Sequence, residues 1–230
     1  MIFLVITLIT YALALTFQQK LSRNVKTLSW IPSLFHPVLV SVLGISLILT
    51  LSNTPYEVYK QGTEGLSFLL APSVVALAVP LYKEWKRLQK EMGAILVTLT
   101  FGSWVGIISS VAPALLFSTP LEVVASLAPR SVTTPIAMDI AASWGGLASL
   151  TAAVVVSTGI VGALLGPILL QLFHWIEEAA FGLAMGVASH GIGTARALEI
   201  SEKAGAYSAL ALGLNGILTS IWVPLLIQWL

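Results

Sequence analysis

Long stretches without a charged residue dominate this sequence. No Asp, Glu, Lys or Arg occurs in six segments that are about as long as a transmembrane helix or longer: 1–19, 27–56, 65–82, 92–121, 140–176 and 204–230. About 20 apolar residues in a helix cross the hydrocarbon core of a bilayer. Because only 9% of the 230 residues are charged, the chain is predicted to be an all-α integral membrane protein with seven to eight transmembrane segments.

The length and the charge balance exclude several classes of protein. Seven or eight crossings leave no room for a separate soluble domain, so residues 1–230 are predicted to form a single membrane domain. The formal charge of +1 without a basic patch argues against nucleic-acid binding. The absence of cysteine excludes disulfides and thiolate chemistry. We therefore expect the function to reside within the membrane, and for a bacterial chain this is the inner (cytoplasmic) membrane.

The basic residues predict an orientation. Basic residues concentrate in cytoplasmic loops of membrane proteins. Two short segments that contain seven of the 11 basic residues are therefore predicted to be cytoplasmic loops, with the N-terminus outside. They hold Lys20, Arg23 and Lys26, and then Lys83, Lys86, Arg87 and Lys90.

Two later segments, 121–146 and 179–203, mix apolar residues with charges, prolines and glycines. Proline removes a backbone donor and glycine eases unwinding, so each segment is predicted to contain a helix that is interrupted within the membrane. An interrupted helix offers free N–H groups to an anion and free carbonyls to a cation. The candidate substrate-binding residues are Arg130, Ser131, Thr133, Thr134 and Pro135 in the first segment, and Ser189, His190, Gly191, Gly193, Thr194 and Arg196 in the second.

Several of these residues have a second interpretation. Arg130 and Asp139 fit equally well at a membrane edge, where charged side chains reach water cheaply. A lone histidine such as His190 is more often a packing residue, although its glycine-rich surroundings favour a polar site. Arg196 and Glu199 are spaced to pair with each other on one helix face.

Three residues are candidates for proton or ion coupling: Asp139, His190 and Asn215. The first two can change charge when buried or paired. Asn215, inside the last apolar stretch, is either a hydrogen-bonding link between helices or part of a site.

The chain also allows an internal repeat. Shifting the first half by about 117 residues, a repeat length of the size found in transporters, places 71–78 over 188–195, which suggests inverted repeats with halves 1–117 and 118–230. Several glycines are interpreted as places where helices pack closely, since small residues dominate such contacts in membranes. They include Gly106, Gly159 and Gly162.

Three motifs resemble the signature segments of the LrgB/CidB family: PRSVTTPIAMDIA at 129–141, ASHGIGTARALE at 188–199 and LAPSVVALAVPLYK at 70–83. The resemblance extends over essentially the whole chain, with Asp139 where the family pattern has glutamate. Members are described as holin-like or antiholin-like proteins linked to murein hydrolase activity and cell lysis or, in plant plastids, as glycolate/glycerate transporters. The resemblance implies two broken helices as in cation/proton antiporters and anion transporters, a small LrgA/CidA-like partner and a homodimer.

Two functions follow as expectations. The first is a transporter or facilitator of small monocarboxylates such as glycolate, glycerate or pyruvate, which works by alternating access and needs no cofactor beyond a coupling H⁺ or Na⁺. The alternative is an antiholin-like regulator of murein hydrolase activity and lysis that acts with the LrgA/CidA-like partner. An enzyme is not expected, because the chain lacks GxSxG, HExxH and cysteine. No metal site is expected, since His36, His174 and His190 are far apart in sequence.

Overall fold

The protein is described by a computed structural model, which covers residues 2–24, 35–172 and 177–230. Lys26 and His174 lie outside these ranges. The described residues form helices and turns without a β-strand, as the all-α prediction requires. The helices are α1 (Ile2–Asn24), α2 (Pro37–Leu51), α3 (Tyr56–Gly62), α4 (Glu64–Ala76), α5 (Ala78–Leu116), α6 (Leu121–Leu127), α7 (Thr134–Ser143), α8 (Ala148–Leu172), α9 (Glu178–Ile200) and α10 (Glu202–Ile227).

Four stretches of the described residues are long and apolar enough to cross a membrane: Ile2–Leu21, Pro72–Leu116, Ala148–Leu170 and Glu202–Ile227. The count of seven to eight transmembrane segments is not confirmed. Two of the predicted crossings, 65–82 and 92–121, contribute to the single stretch that ends at Leu116. The apolar helix α2 has only 15 residues, which is shorter than a helix that spans the hydrocarbon core.

The basic residues near position 85 lie on a helix and not in a loop. Helix α5 runs without interruption through Lys83, Lys86, Arg87 and Lys90, which corrects the predicted loop at this place. The local sequence explains the difference, because Lys, Glu, Arg, Leu, Gln and Met all favour helix and no proline or glycine occurs between Pro80 and Gly93. The 39-residue helix is about 58 Å long, almost twice the thickness of the hydrocarbon core.

The chain divides into two compact units, Met1–Leu77 with Pro167–Leu169, and Ala78–Gly166 with Leu170–Leu230. In the first unit, α1 packs against α2. The Thr7 hydroxyl lies 3.0 Å from the Tyr59 hydroxyl, and the Phe3 ring packs edge-on against the same tyrosine. These contacts hold α3 to the start of α1.

The second unit is built around the close pairing of α9 with α10. A Cβ added at Gly182 would overlap the Ala204 carbonyl oxygen, and one added at Gly186 would overlap the Ser208 carbonyl oxygen. The two helices therefore meet backbone to backbone, as small residues permit in membrane proteins. Helix α5 packs against this pair through a core that includes Leu88.

The pairing predicts opposite effects for two glycine-to-alanine substitutions. Gly213→Ala, at an exposed position where an added Cβ meets nothing within 4 Å, should stabilise the protein by about 0.5–1 kcal/mol through helix propensity. Gly186→Ala should destabilise it by about 1–3 kcal/mol through overpacking. Thermal unfolding of the purified variants in detergent measures both effects, and equal melting temperatures would contradict the backbone-to-backbone packing of α9 and α10.

Candidate functional site

The chain is not helical between α6 and α7. Helix α6 ends at Leu127 and α7 begins at Thr134. We refer to the residues between the two helices as the 128–133 segment. Pro129 lacks an N–H group that a continuing helix would use, and Thr133, just before α7, has extended dihedrals of φ −61° and ψ 146°. The segment therefore presents backbone groups that no helix satisfies.

A second irregularity lies inside α9 at His190. Its dihedrals, φ 41° and ψ −128°, are not helical and fall in a region that L-residues rarely occupy. The side chain is buried, and its Nε2 lies 3.0 Å from the Val155 carbonyl oxygen of α8. Gly159 leaves room for the ring, because an added Cβ would come within 2.7 Å of His190 Cε1. Contacts with α8 therefore hold the strained residue in place.

A cavity of about 610 Å³ lies among α5, the 128–133 segment, α8 and α9. Its polar lining consists of one cation and four hydroxyl groups, and every other lining residue is glycine, alanine or valine. The cation is Arg130 and the hydroxyls belong to Ser109, Ser131, Ser157 and Thr158. All of these residues lie in the second unit.

Arg130 provides the charge of the cavity. Its Nη2 donates a hydrogen bond of 2.8 Å to Ser109 Oγ of α5. Its Nε is buried and has no hydrogen-bond partner, and Arg130 forms no ion pair within the described ranges. A half-buried cation without a counterion is unfavourable in an apolar bundle. The site is therefore suited to a small anion, since guanidinium N–H groups bind carboxylates and phosphates well.

Glycines bring the walls of the cavity together. An added Cβ at Gly106 of α5 would lie 2.9 Å from Ser131 Oγ, and one at Gly162 of α8 would overlap Ser189 Oγ. The Ser189 hydroxyl is buried and has no hydrogen-bond partner among the described residues. The glycines interpreted from the sequence as packing positions thus contact several of the candidate site residues.

The structure brings some of the sequence-predicted residues together at this place. Arg130 and Ser131 line the cavity, and the buried residues Ser189 and His190 directly follow its last lining residue on α9. Thr194 is buried one turn further on, where its hydroxyl donates to the His190 carbonyl and lies 2.9 Å from Ser208 Oγ.

Other predicted residues lie elsewhere and do not line the cavity. Arg196 pairs with Glu199, the alternative that their spacing allowed. Asp139 is exposed on α7, and Gly191 is exposed on α9. Three more stand at the start of α7: Thr133, Thr134 and Pro135. An added Cβ at Gly193 would overlap the Met185 carbonyl oxygen of the same helix, so this glycine permits the bend of α9.

Three lining hydroxyls were not predicted from the sequence: Ser109, Ser157 and Thr158. Ser157 and Thr158 both donate to carbonyls of their own helix at 2.8 Å, which leaves their oxygens able to accept. Adjacent hydroxyls beside Gly159 and Gly162 in an otherwise apolar stretch are the signal that would have indicated them. No group of three or more His, Cys, Asp or Glu side chains suited to a metal occurs in the described part of the chain.

The non-helical backbone of His190 predicts an inverted preference at that position. Alanine is more stable than glycine by about 1 kcal/mol inside a regular helix. At φ 41° the order should reverse by about 1–2 kcal/mol, because a Cβ is strained there. Chemical denaturation of His190→Gly and His190→Ala compares two variants that both lack the ring. Higher stability of the alanine variant would show that residue 190 is helical.

Several long apolar helices without a β-strand among the described residues define an all-helical, multi-pass membrane protein. The profile of the LrgB-like family matches residues 7–229. "Holin-like protein CidB" from Staphylococcus aureus is 29% identical over 227 residues, which are 99% of this chain and 95% of that protein. The chain therefore belongs to the LrgB-like family, as its sequence motifs implied.

Two relatives without an assigned function are more similar over a shorter range. An uncharacterized protein of Haemophilus influenzae is 35% identical over 195 residues, 85% of this chain and 84% of its own length. The uncharacterized protein YwbG of Bacillus subtilis is 36% identical over 194 residues, 84% of this chain and 86% of its own. No solved structure matches the chain at a significant level.

Proposed function

We propose that this protein is a holin-like membrane protein that controls murein hydrolase activity and cell lysis. The similarity to holin-like CidB, which extends over 99% of the chain, is the observation that supports this proposal. The proposal includes insertion in the cytoplasmic membrane with the N-terminus outside, a homodimeric assembly and a small LrgA/CidA-like membrane protein as partner. It does not include an enzymatic activity.

Expression in a Staphylococcus aureus strain that lacks CidB tests this function. We expect extracellular murein hydrolase activity on zymograms and release of a cytoplasmic reporter enzyme to rise to the level that CidB itself restores. A multi-pass protein of another family, expressed at the same level, controls for membrane overloading. Unchanged hydrolase activity and reporter release, with the protein present in the membrane fraction, would exclude the proposal.

The Arg130 cavity favours a second candidate function, the transport of a small monocarboxylate such as glycolate, glycerate or pyruvate. A bound carboxylate would neutralise a guanidinium that has no counterion in the described part of the chain. The Nε of Arg130 is buried and has no hydrogen-bond partner in the described part of the chain. The Ser157 and Thr158 hydroxyls, whose oxygens remain able to accept, are the proposed contacts for the hydroxyl group of glycolate or glycerate.

The irregular backbone supports a mechanism for this second function. We propose that the 128–133 segment and the distorted turn at His190 are the two broken helices of an inverted-repeat transporter. Alternating access would move one set of helices past the other around the cavity. H⁺ or Na⁺ is the proposed coupling ion, with Asp139, His190 and Asn215 as the candidate groups.

Uptake of ¹⁴C-labelled glycolate, glycerate and pyruvate into proteoliposomes, with imposed proton and sodium gradients, tests transport. Arg130→Gln should lower uptake by about 10- to 100-fold, because a hydrogen bond to a charged group contributes about 1.5–3 kcal/mol. Arg196→Gln is the matched control, since that arginine pairs with Glu199 and does not line the cavity. The comparison decides between the two arginines as the anion ligand.

Undiminished uptake by Arg130→Gln would show that the Arg130 cavity does not bind the transported acid. A wild-type protein that takes up none of the three acids under any gradient would remove carboxylate transport itself. The lysis assay on the Arg130→Gln variant then shows whether the two functions are linked. If the variant still restores hydrolase activity and reporter release, lysis control does not need the anion site.

A further inference from the structure

Asn215 is a fully buried amide in the middle of α10 that contacts two irregular parts of the chain. Its Nδ2 donates a hydrogen bond of 2.9 Å to the Ser131 carbonyl oxygen and makes a longer contact of 3.5 Å with the Val187 carbonyl oxygen. Ser131 belongs to the 128–133 segment, and Val187 precedes His190 in α9. One amide group therefore joins both segments that carry the candidate site.

Both carbonyls belong to backbone that a regular helix does not fully satisfy. The Ser131 carbonyl lies in a non-helical segment. In a regular helix the Val187 carbonyl would accept from the N–H of residue 191, and the chain between them passes through His190, whose dihedrals are not helical. A buried backbone carbonyl without a donor is unfavourable. The Asn215 amide supplies a donor where the helical pattern is disturbed.

Few side-chain hydrogen bonds connect the 128–133 segment to the rest of the described chain. Among the described residues, two side-chain hydrogen bonds reach it from other elements. Arg130 donates to Ser109 of α5, and Ser131 accepts from Asn215 of α10. The first bond holds Arg130 from the α5 side, and the second fixes the adjacent residue and also reaches α9. Removing Asn215 leaves the Arg130–Ser109 bond as the one side-chain hydrogen bond among the described residues that joins the segment to another element, beside the backbone hydrogen bonds to its chain neighbours α6 and α7.

The amide acts here as a donor. Asn215 Oδ1 is buried and has no hydrogen-bond partner in the described part of the chain, whereas Nδ2 contacts both carbonyls. An ionised carboxylate of the same shape cannot donate and would repel the carbonyl oxygens. An aliphatic side chain of similar size offers no donor either.

We infer that Asn215 is a positioning residue, which fixes the 128–133 segment to α9 and thereby sets the place of the Arg130 guanidinium in the cavity. The link to substrate binding rests on the proposed anion site, whereas the structural link does not. Asn215 is therefore a hydrogen-bonding link between helices, the first of the two roles that the sequence allowed.

Distance measurements test the structural link directly. The chain has no cysteine, so spin labels can be attached at two introduced cysteines, Ala142→Cys on α7 and Ala184→Cys on α9, both exposed positions of the second unit. Double electron–electron resonance on the full chain in nanodiscs then gives the distance distribution. It is compared among the unsubstituted background, Asn215→Leu and Asn215→Asp, so that one variant remains if the other does not fold.

We expect the distribution to shift or broaden in both Asn215 variants. Ser220→Ala is the matched control, because this exposed serine of α10 donates only to Gly216 of its own helix, and it should leave the distribution unchanged. Uptake of ¹⁴C-pyruvate, ¹⁴C-glycolate and ¹⁴C-glycerate by the same variants without labels gives KM and kcat. KM should rise about tenfold, or about 1.4 kcal/mol, with kcat much less affected.

The distance distributions and the uptake kinetics test the structural link and the link to substrate binding separately. An unchanged distance distribution in folded Asn215 variants would overturn the inference, whatever the uptake shows. A changed distribution with an unchanged KM would overturn the link to Arg130. A changed distribution in a protein whose parent takes up none of the acids would leave the positioning role in place and remove the proposed transport.

Discussion

Polar backbone and charge are unfavourable inside an apolar helical bundle unless a partner satisfies them, and this constraint shapes the second unit of the protein. The 128–133 segment and His190 both depart from helical geometry. Buried polar groups at both places have partners on neighbouring helices: His190 Nε2 lies 3.0 Å from the Val155 carbonyl oxygen, and Asn215 donates to the Ser131 carbonyl. Arg130 differs from both, because its charge has no counterion in the described residues.

Small residues make this arrangement possible. Gly182 and Gly186 let α9 approach the backbone of α10, while Gly159 and Gly162 of α8 leave space for His190 and Ser189. The bundle thus surrounds α9 with neighbours that are close enough to hold a strained backbone in place. Gly162 also lines the cavity, whose walls are apolar except for four hydroxyls and one cation.

The sequence predicted the polar features of the site better than it predicted the topology. Arg130, Ser131, Ser189 and His190 stood out because charges, hydroxyls and glycines are rare in apolar stretches, and the structure places them in or beside one cavity. Arg196 stood out for the same reason, yet its charge is compensated locally by Glu199. The two arginines differ in their neighbours, because Glu199 pairs with Arg196 and no acidic side chain of the described residues pairs with Arg130. The sequence motifs alone leave this difference open.

The errors have equally physical causes. Charge marked 83–90 as a loop, but its residues are strong helix formers and α5 continues through them. Ser109, Ser157 and Thr158 were overlooked, since isolated hydroxyls in a membrane helix usually bond to their own backbone, as Ser157 and Thr158 in fact do. The place of Ser109 in the cavity depends on helix packing that no local pattern encodes.

Arg130 has no counterion in the described residues, and we expect aqueous solutes to enter the cavity that it lines. The absence of cysteine from the chain allows a direct measurement with one introduced thiol, Ser157→Cys, on the α8 wall of the cavity. We expect a negatively charged methanethiosulfonate reagent to modify this thiol faster than a positively charged one of similar size. Adding Arg130→Gln should abolish the difference. Equal rates with both reagents, or a preference that persists without Arg130, would contradict this expectation.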